Sequence, residues 1–529
     1  MNTSMKILAI SCSTLALAGC GGDEIVSPGT GGNVTINNPA PAPSPTPTPP
    51  PTAGTVTPAA GCPTISDPQG LVDSGTITGP TGEYRVCTLP SQFTASSTLR
   101  QIDGLLYRID GQVDVGADGG PTPDASDGAS DTDVTLTIQP GVIIYASGSS
   151  YLNVNRGNQI SAVGTASSPI IFTSQDNVLG LNDANSSGQW GGVILNGRAP
   201  VTDCEASGAT PGTINCERLV EGATTPPRYG GATADDSSGR MSYVQIRYSG
   251  FILSNGDELQ SLTTGGVGSG TVFDHIMSYN SSDDGVEFFG GNVNVNRLVV
   301  VGAEDDSIDT DTGVQANLFE VIAVQRSGAG DTILEGDSNN SVSDDTPRQQ
   351  TNIVNATFLA NGVEQDQVLR LRGEADFSIA NTVIVDQTGN TPCIRIDLPG
   401  TLGAAGTQAD ENGPPTFDSV VMDCATDFRD GSDGVTAAQA QSAFDAGSNT
   451  DAGFINTLMT LGGAPFINGT NESGVAAFDP TALSTFFATR SYIGAVSDQA
   501  SNWAEGWTCN SATITLGSAN SGACESLPI

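Results

Sequence analysis

The chain has 529 residues, of which 58 are acidic and 18 basic, and its net charge at pH 7 is −40. Such a surface repels nucleic acid and favours cations and cationic or neutral partners, so we expect no nucleic-acid ligand. The chain is also too long for a typical compact domain with one core. A solenoid avoids this limit because it grows along one axis.

The first 20 residues have the pattern of a secretory signal. Lys6 precedes the apolar run ILAISCSTLALA, which is too short for a membrane span. The signal ends in LAGC, residues 17–20, and this ending resembles the bacterial lipobox. The resemblance implies removal of residues 1–19 and a lipid on Cys20; an ordinary signal peptide with a chance cysteine is the alternative. Because Gly21 rather than an aspartate follows, the family rule for lipoproteins implies transport to the outer membrane.

Residues 20–60 form the predicted lipid-anchored, proline-rich linker. The stretch PAPAPSPTPTPPPTAG has frequent prolines, which favour an extended polyproline II path that packs no core. The linker is therefore predicted to be a tether between the lipid and the folded region.

Eight cysteines follow the linker. Their even number, the secretory signal and the absence of a Cys-x-x-Cys motif predict disulfides rather than a zinc site. Several pairings are possible, and we predict that sequence neighbours pair. The predicted bonds are Cys62 with Cys87, Cys204 with Cys216, Cys393 with Cys424, and Cys509 with Cys524.

The middle of the chain contains a repeated pattern of short strands. Apolar and small polar residues alternate in TVFDHIMSY, NVNRLVVVG and NLFEVIAVQ, and no 3.6-residue period is sustained. An aspartate two places before an apolar residue recurs between these runs, at Asp257, Asp284, Asp306, Asp331 and Asp366. Repeats of this length predict stacked rungs, and hence an all-β parallel β-helix.

The predicted organisation has three parts after the linker. Residues 61–133 form an N-terminal β entry segment, 134–397 the parallel β-helix, and 398–529 an irregular region and cap. Helical spacing in VTAAQAQSAFDA, residues 435–446, indicates that the cap is partly helical. The aromatic-rich ending, which includes NWAEGWTC, is predicted to cover the last rung, because a solenoid must close its open edge.

Several motifs together resemble a known family. They are TIQPGVIIY, GQWGGVILNGRAPV, SSDDGVEFFGGNVNVNRLVVVGAEDDSIDTDTG and the ending YIGAV…NWAEGWT. They look like a family of secreted or lipid-anchored β-helix proteins of Bacteroidetes and Proteobacteria. The resemblance implies a right-handed parallel β-helix at the cell surface, in a family mostly without an assigned activity. Some members accompany TonB-dependent receptors, which implies a receptor or a nutrient as partner.

Stacked carboxylates are the main candidate for chemistry. Like side chains on successive rungs stand about 4.8 Å apart, and two carboxylates at that distance repel by roughly 3.5 kcal/mol at an effective dielectric of about 20. A cation is one way to relieve this repulsion. Strand alternation predicts a shared face for five residues: Asp283, Glu287, Asp305, Asp309 and Asp311.

An oxygen-only ligand set of this kind favours Ca²⁺ over transition metals. Asp284 and Asp306 lie one place off this pattern, so we expect them in turns, bonded to backbone amides. A purely structural role for all these carboxylates is the alternative, since Asp-Asp-Gly is a common turn.

Two functions follow from these features. The first is a surface lipoprotein whose calcium-binding β-helix binds a glycan, a nutrient or a TonB-dependent receptor. The alternative is a polysaccharide hydrolase or lyase, with Asp284, Asp306, Arg370 and Arg372 as catalytic candidates. Against it, Arg-Leu-Arg at 370–372 lacks the lysine of polygalacturonase-like hydrolases, and the only histidine, His275, is predicted to be an ordinary strand residue.

Overall fold

The structure is a computed structural model that describes residues 56–124, 126, 128, 133–221, 223, 225–252, 259–338, 345–361 and 367–528. Cys20 and nearly all of the linker lie outside these residues, as do Asp257 and Asp366, so the lipid anchor stays a prediction. Within the described chain, no helix has the length and apolar character needed to cross a membrane.

Short strands make up most of the regular structure. The first fourteen are β1 (Val72–Gly79), β2 (Gly82–Thr88), β3 (Gln92–Phe93), β4 (Ser97–Leu99), β5 (Leu105–Arg108), β6 (Gln112–Val115), β7 (Thr135–Ile138), β8 (Ile143–Ala146), β9 (Gly148–Val154), β10 (Gln159–Val163), β11 (Ile170–Ser174), β12 (Trp190–Asn196), β13 (Arg218–Leu219) and β14 (Arg228–Tyr229). The others are β15 (Gly239–Arg247), β16 (Leu262–Gly265), β17 (Val272–Tyr279), β18 (Val286–Phe289), β19 (Asn292–Val301), β20 (Ile308–Asp311), β21 (Gln315–Val324), β22 (Leu334–Gly336), β23 (Gln350–Ala360), β24 (Leu369–Leu371), β25 (Asp376–Asp386), β26 (Pro392–Ile396), β27 (Thr416–Asp423) and β28 (Thr426–Arg429).

Helices are few and short in the described residues. The α-helices are α1 (Gln175–Leu179) and α2 (Ala437–Asp445). The 3-10 helices are Pro399–Leu402, Glu472–Gly474, Pro480–Ala482 and Gln499–Ser501.

Two long sheets stack rung on rung. Sheet A has the strand order β1-β2-β5-β8-β11-β15-β17-β19-β21-β23-β25-β27, with β4, β7 and β10 joined at its side. Sheet B has the order β3-β6-β9-β12-β16-β18-β20-β22-β24-β26-β28. Neighbouring strands are parallel, except for the antiparallel pair β1 and β2. The chain passes from one sheet to the other in each rung, and the predicted all-β parallel solenoid is confirmed.

The apolar core lies between the sheets, because alternate residues of each strand point inward. In sheet B, Val286, Ile308, Leu334, Leu369 and Ile394 share one register position on successive strands and are fully buried. Each such side chain contributes about 1.5–3 kcal/mol on burial. The same register must also align the outward residues into columns, and this positions the candidate site.

One register position of sheet A has an unusual backbone conformation. There, seven residues with side chains adopt a left-handed backbone: Tyr243, His275, Arg297, Glu320, Asn355, Asn381 and Ser419. This conformation is unfavourable for residues with a side chain, so its repetition shows that rung stacking imposes it. Two asparagines compensate in part: Asn381 Nδ2 donates to Asn355 Oδ1 at 3.4 Å and to Phe478 O at 3.0 Å.

The stack is longer than the predicted 134–397. Strands β2, β5, β3 and β6 add parallel rungs before it, and β27 and β28 continue both sheets beyond it. The C-terminal boundary was missed because β28 is only partly buried, so its sequence lacks the apolar alternation of a core strand.

The predicted helix in residues 435–446 is α2, and it covers the end of the stack. The Thr436 side chain and Gln439 form a reciprocal capping box at its N-terminus. Phe444 packs on Phe417 and Phe428, with ring centroids 5.3 and 5.6 Å away. This short helix therefore shields the last core layer from water.

The aromatic-rich ending does not cover the last rung as predicted. It runs along the outer face of sheet A, where Trp507, Phe466 and Ile493 are buried against Met277 and Val299. Near the end of the chain, the Cys524 carbonyl accepts hydrogen bonds from Asn177 Nδ2 and Arg247 Nη1, both at 3.1 Å. Sheet A is apolar on both faces here. The residue pattern of its strands therefore could not indicate which segment of the chain covers the outer face.

An insertion between β12 and β15 covers part of the outer face of sheet B. It contains the antiparallel pair β13 and β14. Its residues Val201, Val220 and Tyr229 form an apolar cluster with Ile194 and Phe289 of sheet B. The insertion therefore forms a wall beside β18.

All four predicted disulfides are present with the predicted pairing. They join Cys62 to Cys87, Cys204 to Cys216, Cys393 to Cys424 and Cys509 to Cys524. One of them closes the insertion, and another closes the segment that ends on sheet A. Each thus stabilises a region outside or at the edge of the regular stack.

Candidate functional site

Acidic residues converge where the chain enters sheet B. The turns before β18 and β20 carry Asp283, Asp284, Asp305 and Asp306, and the strands that follow carry further carboxylates on their outer face. Because the rungs stack in register, acids that are more than 20 residues apart in sequence become neighbours.

One outward column of sheet B reverses its charge along the stack. Glu287 pairs in register with Asp309, and Asp309 with Glu335. The next two positions are Arg370 and Arg395. The column therefore has an acidic half on β18, β20 and β22 and a basic half on β24 and β26.

The closest group in the acidic half is Asp284, Glu287 and Asp309. One carboxylate oxygen from each lies within 4.8 Å of the other two. Asp284 and Glu287 are each only 6% exposed. Among the described residues, no arginine pairs with any of the three, and no group donates a hydrogen bond to the Glu287 carboxylate. Glu287 is thus a buried carboxyl group with two other carboxyl groups beside it and no described partner.

Burial perturbs the protonation of this group. Loss of water, followed by repulsion from neighbouring carboxylates, raises the pKa of Asp284, Glu287 and Asp309 well above its ordinary value. For Glu287 the largest contribution after burial comes from Asp309, followed by Glu221 of the insertion. The group therefore favours the binding of a proton or another cation.

Asp284 and Asp306 lie in successive turns and hold them together. The backbone N–H of Asp306 donates to Asp284 Oδ1 at 2.9 Å, and that of Thr332 donates to Asp306 Oδ1 at 2.7 Å. These bonds are the turn–amide contacts predicted for both residues. Asp284 also joins the group above, so sequence alternation was wrong in separating it from Glu287 and Asp309.

A second set of carboxylates lies nearer the surface. Asp283, Asp284 and Asp305 bring ligand atoms within 4.8 Å of one another, as do Asp305, Asp306 and Asp331. Asp331 donates its N–H to the Asp305 carbonyl at 3.0 Å, so it aligns with Asp305 rather than Asp306. The predicted repeat alignment is therefore wrong by one residue at this rung, because Leu334 rather than Ile333 pairs with Ile308.

The five predicted metal ligands do not form one site. Asp283 and Asp305 belong to the surface set, whereas Glu287 and Asp309 belong to the buried group. Asp311 belongs to neither set in the described residues. Burial, followed by the charge of Asp337, raises the pKa of Asp311 well above its ordinary value. Thr312, which has a left-handed backbone and forms a turn with Gly313, follows Asp311 directly.

The basic half of the column is occupied by ion pairs. Arg370 bonds Glu335 at 3.1 Å and Asp397 at 3.0 Å, and Arg372 approaches Glu335 to 2.6 Å and Asp337 to 3.1 Å. The two arginines considered as catalytic candidates therefore neutralise acids on their own and adjacent rungs. Ion pairing also explains why Glu335, Asp337 and Asp397 need no added cation.

The insertion was the part of the site that sequence reasoning missed. It brings Glu221 close enough to contribute to the raised pKa of Glu287. It also brings Arg218, whose positive charge partly offsets the rise in the pKa of Asp311. These residues lie in a turn-rich segment without repeat periodicity, so no sequence signal pointed to them.

His275 takes no part in the acidic site. It lies in β17, is 4% exposed, and stacks on Tyr243 with ring centroids 4.1 Å apart. Its Nδ1 lies 3.0 Å from Asp274 Oδ1, and Trp507 packs edge-on against its ring. The prediction of a structural strand histidine agrees with this packing.

Comparison with known proteins identifies one family. The family model described as "Pectate-lyase like beta helix domain" matches residues 129–508, which is more than half of the chain. No curated protein and no solved structure matches the sequence. The match covers the rungs that carry the acidic site and most of the segment on the outer face of sheet A.

Proposed function

The chain belongs to the family of pectate-lyase like β-helix domains, and from this premise we propose that it is a calcium-dependent binding protein of the outer membrane, anchored by a lipid on Cys20. Its calcium site is Asp284, Glu287 and Asp309. Its ligand is a glycan, bound with the help of the cation.

The charge reversal of the sheet B column carries this proposal. On β22, β24 and β26 the protein neutralises its carboxylates with arginine. On the two preceding strands, β18 and β20, the same column holds Glu287 and Asp309, which lie with Asp284 of the preceding turn within 4.8 Å of one another. No described arginine pairs with these three carboxylates. Burial of a charged group without a partner is costly, so this group takes up either a proton or a cation, and the convergence of three carboxylates favours the cation.

The chemistry of the donors favours calcium. Only carboxylates surround the position, and Ca²⁺ prefers six to eight oxygen ligands in flexible geometry. The imidazole and thiolate ligands favoured by zinc and copper are absent from the described group, since His275 is packed elsewhere and eight cysteines form disulfides. Three carboxylates also leave coordination positions for oxygens of water or of a ligand.

Cation binding supplies a reason why so acidic a protein could hold a glycan. With a net charge of −40 it repels anionic sugars, whereas a calcium ion can bridge protein and sugar carboxylates. The surface set with exposed Asp305 and half-buried Asp283 and Asp331 is the accessible part of the strip. It therefore presents the cation-binding strip to a ligand in solution.

The anchor and the partner are part of the same proposal. The lipobox-like LAGC sequence at the end of the signal supports lipid attachment to Cys20. The sorting rule supports the outer membrane, and the family resemblance supports display at the cell surface. A TonB-dependent receptor or another nutrient carrier is the expected protein partner if the captured ligand is imported. Mass spectrometry of the mature N-terminal peptide tests the anchor: an unmodified cysteine there would rule it out.

An enzymatic function is the second candidate, as a polysaccharide hydrolase or lyase. The raised pKa of Asp284 and Asp306, caused first by burial, suits a general acid. Against this function, both residues are 6% exposed and bonded to turn amides, and Arg370 and Arg372 are held in ion pairs. Catalysis by these four residues is therefore less favoured than cation-assisted binding of a glycan.

Calorimetry after chelation tests the calcium site. The chelated full chain is titrated with CaCl₂, and the Glu287→Gln variant is compared with Glu83→Gln, which changes an exposed glutamate of β2. We expect heat of binding for the parent chain and for E83Q, and a loss of at least about tenfold in affinity for E287Q. Absence of heat in the parent chain would refute the calcium site.

Turnover assays separate binding from catalysis. The chain is incubated with pectin, polygalacturonate and alginate in the presence of calcium, and unsaturated products and new reducing ends are measured. Binding without product is the expected result. Product that disappears in Asp284→Asn or Asp306→Asn would instead establish the hydrolase or lyase function.

A further inference from the structure

A ladder of asparagine amides lies on the outer face of sheet A, on a different sheet from the acidic strip. Asn294, Asn317 and Asn352 share one register position on β19, β21 and β23. Asn317 Nδ2 donates to Asn294 Oδ1 at 2.8 Å, and Asn352 Nδ2 donates to Asn317 Oδ1 at 3.0 Å. All the amides in the ladder thus point the same way along the stack.

The two ends of the ladder have unused hydrogen-bonding capacity. Asn352 is 6% exposed, and its buried Oδ1 accepts no hydrogen bond. At the other end, the half-buried Asn294 receives a bond through its oxygen, and its Nδ2 has no described acceptor. Buried polar atoms normally have partners, and leaving one without a partner costs about 1–3 kcal/mol. Of the two ends, the half-buried Asn294 is the one that has a donor available for an additional polar contact.

A groove of about 380 Å³ opens over the Asn294 end of this ladder and reaches Asn317. Asn292, Asn294, Gln315 and Asn317 line its floor, and Ser484 and Phe486 form a wall. Phe486 is half-buried and is held by Phe487, 5.6 Å away between centroids, which in turn packs on Phe319 at 5.8 Å. The aromatic wall is thus fixed to the floor, and the volume lies in the usual range for small-ligand sites.

The lining of the groove has a distinctive composition. It consists of amides, hydroxyls and one aromatic ring, and no described lining residue is charged, although the chain has a net charge of −40. Amide groups both donate and accept, as sugar hydroxyls do. The apolar face of a pyranose ring can pack on the Phe486 ring, and the rung spacing of about 4.8 Å is comparable to the length of one sugar unit.

We propose that the groove over Asn294 and Asn317 binds a neutral oligosaccharide without a cation. Sugar hydroxyls take the place of water on the amides, and Phe486 packs on one ring. The site is chemically distinct from the acidic strip on sheet B, where the ligand requires calcium. The protein then holds one glycan class on each of two faces.

Binding assays in the presence of a chelator test this proposal separately from the calcium site. The full chain is titrated with gluco-, xylo- and manno-configured hexasaccharides in EDTA, and hexagalacturonate serves as the anionic comparison. The variants are Asn294→Ala and Phe486→Ala, with Asn390→Ala as an exposed asparagine control. Asn294 only accepts one ladder bond, so its loss leaves the Asn317–Asn352 bond in place.

We expect at least one neutral hexasaccharide to bind in EDTA, and each groove variant to weaken binding about tenfold while N390A has no effect. The variants should keep the melting temperature of the parent chain within a few degrees. The proposal fails if no neutral hexasaccharide binds, if both groove variants bind like the parent chain, or if EDTA abolishes binding. The last result would assign the sugar to the acidic strip.

Discussion

Glu287 and Asp309 occupy the same register position on β18 and β20, and each has a carboxylate oxygen within 4.8 Å of the other and of Asp284. Two charges at that distance repel by roughly 3.5 kcal/mol at an effective dielectric of about 20. The rungs stack in spite of this repulsion, because the core residues behind it, Val286 and Ile308, are fully buried. The repulsion remains available to drive cation binding.

Replacing Glu287 by glutamine should stabilise the chelated protein and destroy its response to calcium. The amide keeps the shape of the side chain and removes one of three crowded charges, so we expect a gain on the order of 1–3 kcal/mol at pH 8. Calcium at 100 times its Kd should add about 2.7 kcal/mol to the parent chain and nothing to E287Q. Urea unfolding with and without calcium measures both effects, with E83Q as control. A chelated E287Q that unfolds more easily than the parent chain would contradict this prediction.

Stability in chelator should fall as pH rises from 5 to 8. Burial and neighbouring carboxylates raise the pKa of Asp284, Glu287, Asp306 and Asp309 in the folded state. Above about pH 4 the folded protein therefore binds more protons than the unfolded chain. Protonation of these groups stabilises the fold fully below their ordinary pKa, and this stabilisation is lost as the pH rises through their raised pKa. Melting temperature as a function of pH measures this trend.

Calcium should flatten the same profile. The ion takes the place of the protons, so its stabilising effect should be small at pH 5 and largest at pH 8. The corresponding magnesium titration is the control, since Mg²⁺ loses its water reluctantly and needs stricter geometry. A melting temperature that rises with pH in chelator would show that the buried carboxylates are not the dominant groups.

Substitution of Arg370 by glutamine should lower stability without removing calcium binding. The change leaves Glu335 and Asp397, which are 6% and 2% exposed, with fewer positive neighbours. Breaking such a pair costs about 3–5 kcal/mol when it is fully buried, and we expect about 1–3 kcal/mol here because Arg370 is partly exposed. Arg108→Gln, which loses an exposed pair with Asp110, should change stability by less than about 1 kcal/mol.

The same variant tests the catalytic alternative. If Arg370 were a catalytic base, R370Q would remove product formation and leave the melting temperature nearly unchanged. Loss of stability together with intact calcium binding is the outcome expected for an ion-pair role.

Replacing Trp507 by alanine should loosen the outer face of sheet A. Trp507 is fully buried, and its ring packs on Tyr243 and His275. Truncation of a buried tryptophan costs about 3–5 kcal/mol. Hydrogen exchange should increase in β15 and β17, where the ring lies. Faster exchange only in β27 and β28 would instead support a role for the ending at the last rung.

Much of the fold was accessible from local patterns. Alternation in TVFDHIMSY and NLFEVIAVQ predicted strands β17 and β21. The even number of cysteines and the pairing of sequence neighbours predicted four disulfides, and all four are present. Asp284 and Asp306 were expected to bond turn amides, and they do. These features depend on residues that are close in sequence, or on the pairing of equivalent residues on successive rungs.

The sequence by itself determined that rungs stack and that carboxylates on neighbouring rungs come together. Repeated short strands with alternating apolar residues bury their apolar faces by stacking, and stacking places equivalent residues side by side. Only the tertiary structure decided which carboxylates meet: Asp284 joins Glu287 and Asp309, whereas Asp311 lies apart. It also decided that Arg370 neutralises Glu335 and that the ending with Trp507 covers sheet A. These contacts depend on turn lengths and on segments far apart in the chain, and local periodicity contains no information about either.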